Sequence, residues 1–128
     1  MTASALFMAT LGLIASFLPQ ETLSAAGVPV APLAVAGVEV AGALYLGFAI
    51  LNWAARGVLI GGIYGRPVAM GNFLHFAVAA TVLIKRAIGA PDPVVWGGAA
   101  IYAVFAVWFG AVLFTHPRPA RTRRKKDE

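Results

Sequence analysis

Two pairs of polar residues, one on each side of a glycine-rich segment, are the part of the chain best suited to chemistry. Asn52 and Arg56 are four residues apart, and Asn72 and His75 are three apart. Each pair therefore shares one face if its segment is helical. Guanidinium, amide and imidazole groups together suit a phosphate or a carboxylate. The pattern predicts a site for a small anionic or amphipathic ligand, formed by Asn52, Arg56, Tyr64, Arg66, Asn72 and His75.

The segment between the two pairs has the composition of a turn that approaches a ligand. Gly61, Gly62 and Gly65 let the backbone turn tightly. Arg66 and Pro67 then open an apolar run, and the first amide groups of a helix favour an anion. A phosphate or carboxylate head with an apolar tail is the matching ligand.

The same residues also allow a purely structural interpretation. Arg56 and Arg66 would then only mark the cytoplasmic side of a membrane protein. Asn52, Asn72 and His75 would form hydrogen bonds between helices. The sequence leaves both interpretations open.

Glu39 and Lys85 are charged residues within or at the edge of apolar runs, where charge is costly. At 1.5 Å per residue, Glu39 lies about 24 Å from Ala55, and Lys85 lies about 25 Å from Val68. Their equal depth predicts an ion pair, or a coupling role for the carboxylate. The alternative is that both side chains simply reach the outer headgroups.

Several classes of chemistry find no support in the residue inventory. The chain has no cysteine and only two histidines, His75 and His116. Paired carboxylates, an HExxH motif and a Ser/His/Asp constellation are absent from the sequence. We therefore predict no metal and no cofactor, since a haem would need two copies of His75. An enzyme is disfavoured, although acid–base chemistry at His75 on a lipid or a quinone stays open as an alternative.

Four apolar runs must position these residues. Hydrophobic residues make up 60% of the 128 residues and charged residues 12%, which is about half the usual charged share. Each run is long enough for a helix to cross about 30 Å of hydrocarbon. The sequence predicts an all-α, integral membrane four-helix bundle with spans near 2–18, 32–55, 68–86 and 93–115.

The basic residues predict the orientation. Arg56, Arg66 and the tail 118–128 carry eight of the ten Lys and Arg residues, so these segments and both termini should face the cytoplasm. The tail lacks aromatic residues, which disfavours a nucleic-acid partner and favours contact with anionic lipid. One alternative for residues 1–26 is a signal peptide cleaved after Ser24-Ala25-Ala26.

Small residues at helical spacing predict where the helices pack, because helices in lipid associate through close contact. Such stripes occur in three runs. An aromatic face of the fourth run, with Phe105, Trp108, Phe109 and Phe114, should then meet lipid or a partner. The stripes are Ala5, Ala9, Gly12 and Ser16; Ala36, Ala43, Gly47 and Ala54; and Ala99, Ala103, Ala106 and Gly110.

The layout resembles that of small four-helix bacterial inner-membrane proteins, including DoxX-like proteins. The resemblance lies in the short first run, the break at 19–21, Gly37-Val38-Glu39 and the turn Gly65-Arg66-Pro67. It implies a multi-pass protein of the bacterial inner membrane and assigns no functional residue. Small multidrug exporters are of similar size, but their membrane glutamate lies in the first span, whereas Glu39 lies in the second.

We therefore expect a protein that binds or transports a small amphipathic or anionic ligand through a cytoplasm-facing pocket. Expected partners are membrane lipids and either further copies of the chain or a larger membrane complex. Two alternatives remain: an accessory subunit of such a complex, and a membrane enzyme acting on a lipid or a quinone.

Overall fold

The computed structural model describes residues 1–57 and 65–114, and every regular element within these ranges is a helix. The predicted all-α architecture is confirmed. The chain divides into two compact units, Met1–Val58 and Leu59–Glu128, called here the N-terminal and the C-terminal unit. The tail 118–128, His116 and Tyr64 lie outside the described residues.

The helices follow the apolar runs closely. Pro32 and Pro93 are the first residues of their helices, where a missing backbone N–H is least costly. Pro67 is the third residue of its helix, which begins earlier than predicted. The elements are α1 (Thr2–Phe17), α2 (Pro19–Ala25), α3 (Pro32–Ala54), a 3₁₀ turn (Ala55–Gly57), α4 (Gly65–Gly89) and α5 (Pro93–Phe114).

Three segments are long and apolar enough to cross a membrane: Pro32–Gly57, Gly65–Gly89 and Pro93–Phe114. They indicate a multi-pass membrane protein. A fourth span is possible by length and composition only if α1 and α2 count together, and these two helices meet at an angle of 99°. The break predicted at Pro19–Glu21 is thus the start of a short helix. Proline is favoured at the first position of a helix, and the helix axis changes direction at Pro19.

Within the N-terminal unit, α1 and α3 pack antiparallel with their backbones in contact. A Cβ atom at Gly42 would lie 2.7 Å from the backbone nitrogen of Ser16. A Cβ atom at Gly12 would lie 2.9 Å from the backbone nitrogen of Leu46. The stripe predicted on α1 is confirmed at Ala5, Gly12 and Ser16, because Ala5 is buried and the other two meet α3.

The stripe predicted on the second run is wrong. Ala36, Ala43, Gly47 and Ala54 are all exposed, and Gly42 makes the contact instead. Neighbouring residues on a helix point about 100° apart, so an alanine-rich helix carries several such stripes. Spacing alone cannot choose between them.

Within the C-terminal unit, aromatic rings join α4 to α5. Phe76 is fully buried and stacks on Phe105 and Phe109, with ring centroids 4.7 and 5.8 Å away. The prediction that Phe105 and Phe109 meet lipid or a partner is therefore wrong, because both rings pack against Phe76 on α4. Trp108 and Phe114 remain exposed, as predicted.

Two threonine hydroxyls on the helices are bonded within their own helix. The hydroxyls of Thr10 and Thr81 donate to the carbonyls of Leu6 and Ala77, four residues earlier, at 3.0 and 2.8 Å. These bonds satisfy hydroxyl groups that would find no hydrogen-bond partner in lipid.

Candidate functional site

Asn52 is fully buried on α3 in the N-terminal unit. Its Nδ2 atom donates to Sδ of Met8 on α1 at 3.6 Å. A thioether is a weak acceptor, and this contact ties the amide to the α1–α3 packing. Asn52 therefore acts in the structure as a group that holds two helices together.

Arg56 lies at the end of the same unit, in the 3₁₀ turn after α3, and is exposed. Its Nη1 atom donates to the carbonyl of Trp53 at 2.6 Å. Its guanidinium carbon lies 4.3 Å from the centroid of the Trp53 ring, which is a cation–π distance. The bond satisfies a carbonyl at the helix end, and the guanidinium group is exposed.

Arg66 is the second residue of α4 in the C-terminal unit and is exposed. Pro67 follows it and fixes the backbone of this first turn. No acidic residue occurs in the sequence between Glu39 and Asp92, so the arginines have no carboxylate near them along the chain.

Asn72 and His75 lie on α4, and their side chains are fully and partly buried, respectively. Asn72 is fully buried, and its Nδ2 atom donates to the carbonyl of Val68 at 2.8 Å. The His75 ring is partly buried, with centroids 5.3 Å from Phe76 and 6.0 Å from Tyr102. The imidazole thus sits among aromatic rings at the α4–α5 contact.

Glu39 and Lys85 are both exposed. Glu39 belongs to α3 in the N-terminal unit, and Lys85 belongs to α4 in the C-terminal unit. Their pairing stays a prediction.

The structure thus groups the predicted site residues by unit. Asn52 and Arg56 share the N-terminal unit, and Arg66, Asn72 and His75 share α4.

An apolar groove of about 410 Å³ lies on the face of α5 opposite Tyr102, Phe105 and Phe109. Val104 and Val107 at this groove are 68% and 72% exposed. A groove without charged groups suits hydrocarbon or another apolar helix. Its lining is Ala103, Val104, Val107, Trp108 and Ala111.

Four neighbours of the candidate residues were missed by sequence reasoning: Met8, Trp53, Phe76 and Tyr102. Tyr102 is the only tyrosine in its apolar run, and this was the only feature of the sequence that could have indicated its place beside His75. Trp53 lies three residues before Arg56, a helical spacing that brings the two side chains together. Among the described residues, no group of three or more His, Cys, Asp or Glu side chains could hold a metal ion.

The described part of the chain defines a helical protein with three segments capable of crossing a membrane. No protein-family model, curated protein or solved structure gives a significant match to the chain.

Proposed function

We propose that this chain is a multi-pass protein of the bacterial inner membrane that binds or transports a small amphipathic anion. Both termini face the cytoplasm in this proposal. In the C-terminal unit, Arg66 binds the anionic head on the cytoplasmic side, and the apolar tail lies along the helices. Arg56, in the N-terminal unit, is a second exposed guanidinium group of the kind that binds such a head. His75, which is partly buried, lies further along α4 and forms the polar part of the ligand path, whereas Asn72 is fully buried and bonded within α4.

The observation that carries the proposal is the exposure of two guanidinium groups at the ends of long apolar helices. Arg56 follows α3, and Arg66 lies in the first turn of α4. Guanidinium groups bind phosphate and carboxylate through paired hydrogen bonds. An arginine at the end of a membrane-spanning helix reaches the level of the headgroups, so a bound anion can keep its apolar tail in hydrocarbon.

Replacement of Arg66 tests this function. We expect Arg66→Ala to weaken binding of dodecyl phosphate, an amphipathic anion, by about tenfold to a hundredfold. A hydrogen bond to a charged group contributes about 1.5–3 kcal/mol, and each 1.4 kcal/mol changes affinity about tenfold. Isothermal titration of the purified protein in a neutral maltoside detergent measures the affinity.

Arg86→Ala is the matched control, because Arg86 is an exposed arginine near the other end of the same helix. It should bind dodecyl phosphate like the wild type. Wild-type binding by Arg66→Ala would overturn the proposal. Equal weakening by both variants would also overturn it, since net charge alone would then explain the binding.

The groove on α5 favours a second candidate, an accessory subunit of a larger membrane complex. In this candidate an apolar helix of the complex fills the groove beside Trp108. A partner recovered in stoichiometric amount after extraction with a mild detergent would support it. Recovery of this chain alone or with its own copies would count against it.

A further inference from the structure

The short helix α2 has polar residues on its exposed side. Gln20, Glu21 and Ser24 are exposed, whereas Leu23 is buried against the unit. Gly27 then ends the helix in the left-handed region, with φ of 66°, and the N–H of Val28 bonds to the carbonyl of Leu23 at 2.9 Å. Because the exposed side of α2 is polar, α2 does not suit the hydrocarbon and belongs among headgroups or in water.

The packing of α1 on α3 fixes the level at which α2 lies. Ser16 meets Gly42, Gly12 meets Leu46, and the Met8 side chain meets Asn52 farther along. Continuing this antiparallel register by two or three residues places the bend at Leu18 and Pro19 level with Glu39 and Val40 on α3. The two carboxylates of the unit, Glu21 and Glu39, therefore lie near one level.

Two positions of the membrane boundary can be compared. If the boundary were at Pro32, then Glu39 and α2 would lie about 10 Å inside the hydrocarbon at 1.5 Å per residue. That arrangement would bring two carboxylates and an amide into lipid, where a single charge already costs several kcal/mol. If the boundary is at Glu39, all three groups reach the headgroups.

The second arrangement also matches the length of α1. Its 16 residues extend for about 24 Å, as does the stretch of α3 from Val40 to Ala55. At 16 residues α1 without α2 falls short of an ordinary span, so this arrangement requires the bilayer to thin locally around it. The first turns of α3, from Pro32 to Glu39, extend for about 10 Å and so cross the headgroup layer, which is about 5–8 Å thick on each side, and exposed Leu33 lies at its outer edge.

From this geometry we propose that α2 lies flat in the lipid headgroup layer, and that the hydrocarbon boundary crosses the N-terminal unit at Glu39. The partner of this surface is the lipid interface itself. Glu39 is then an interfacial residue, not a carboxylate within the membrane. The proposal needs membrane insertion but does not depend on ligand binding.

The absence of cysteine from the sequence allows single nitroxide labels on an otherwise native chain. Gln20→Cys and Ala36→Cys place labels on α2 and on the first part of α3 and keep both carboxylates. Gly47→Cys is the deep reference, because the site is exposed and a Cβ atom there meets nothing within 4 Å. The full chain is reconstituted in vesicles of phosphatidylcholine and phosphatidylglycerol. The depth of each label follows from the ratio of its collision rates with oxygen, which concentrates in hydrocarbon, and with a nickel chelate, which stays in water.

We expect the labels at positions 20 and 36 to lie at headgroup depth and to collide readily with nickel. The label at position 47 should lie about 16 Å deeper than that at position 36 and collide mainly with oxygen. Oxygen-dominated collisions at positions 20 and 36 would overturn the proposal. Shielding of position 20 from both reagents would also overturn it, because α2 would then be covered by protein. Circular dichroism of each labelled chain confirms that the helices are retained.

Discussion

Gly42→Leu should disrupt the N-terminal unit. A Cβ atom at this position would lie 2.7 Å from the Ser16 backbone nitrogen and 3.0 Å from the Ala15 carbonyl carbon. Backbone atoms cannot turn aside as a side chain can, so α1 and α3 must separate. Overpacking costs about 1–3 kcal/mol in ordinary cores, and a blocked backbone contact belongs at or above the upper end. The measurement is the midpoint of unfolding by dodecyl sulfate, followed by circular dichroism.

Gly47→Leu is the matched control on the same helix. A Cβ atom at Gly47 has nothing within 4 Å, so the same substitution should leave the midpoint unchanged or raise it slightly. Equal loss in both variants would mean that added bulk on α3 is harmful anywhere. Unchanged stability of Gly42→Leu would show that α1 and α3 are not in backbone contact.

Phe76→Ala should have the largest effect in the C-terminal unit. Phe76 is fully buried, stacks on Phe105 and Phe109, and meets Tyr102 edge-on at 5.5 Å. Each aromatic pair contributes about 0.5–1.5 kcal/mol beyond burial, so three pairs amount to about 1.5–4.5 kcal/mol. Helices in lipid associate through such close packing, because hydrophobic transfer gives them little. The same unfolding titration in detergent measures the loss.

Phe114→Ala controls for the loss of a phenyl ring in the same unit. Phe114 is 72% exposed and has an edge contact with Phe73 at 6.1 Å. We expect its variant to lose less than about 1 kcal/mol. A Phe114→Ala loss as large as that of Phe76→Ala would contradict the assignment of the α4–α5 contact to the aromatic stack around Phe76.

The helices themselves could be predicted from the sequence, because an apolar run of membrane length has few other stable structures. Pro32 and Pro93 also marked their helix starts correctly. The orientation of each helix about its own axis was harder. Gly42 and Ala43 are both small, and the sequence alone does not show that Gly42, which lacks a Cβ atom, is the one that meets the partner helix. Helix α2 was missed because polar residues after a proline are equally typical of a loop.

The candidate site was predictable only in part, for a similar physical reason. The sequence identified Asn72 and His75 as neighbours on one helix, and they are. It could not show that the Asn72 amide bonds to the carbonyl of Val68 on its own helix. A buried amide takes the nearest good acceptor, and that choice depends on atomic distances. The stacking of Arg56 on Trp53 depends on the same kind of detail.

The sidedness of the two ends of α4 tests the central claim, that these apolar helices cross a membrane with their arginine ends in the cytoplasm. Gly57→Cys and Ala90→Cys, at exposed positions before and after α4, are treated with a membrane-impermeant maleimide in intact cells. Ala90→Cys should react at once, and Gly57→Cys only after the membrane is opened. Reaction of both cysteines from the same side of an intact membrane would contradict the crossing, and reaction of Gly57→Cys alone from outside would contradict the orientation.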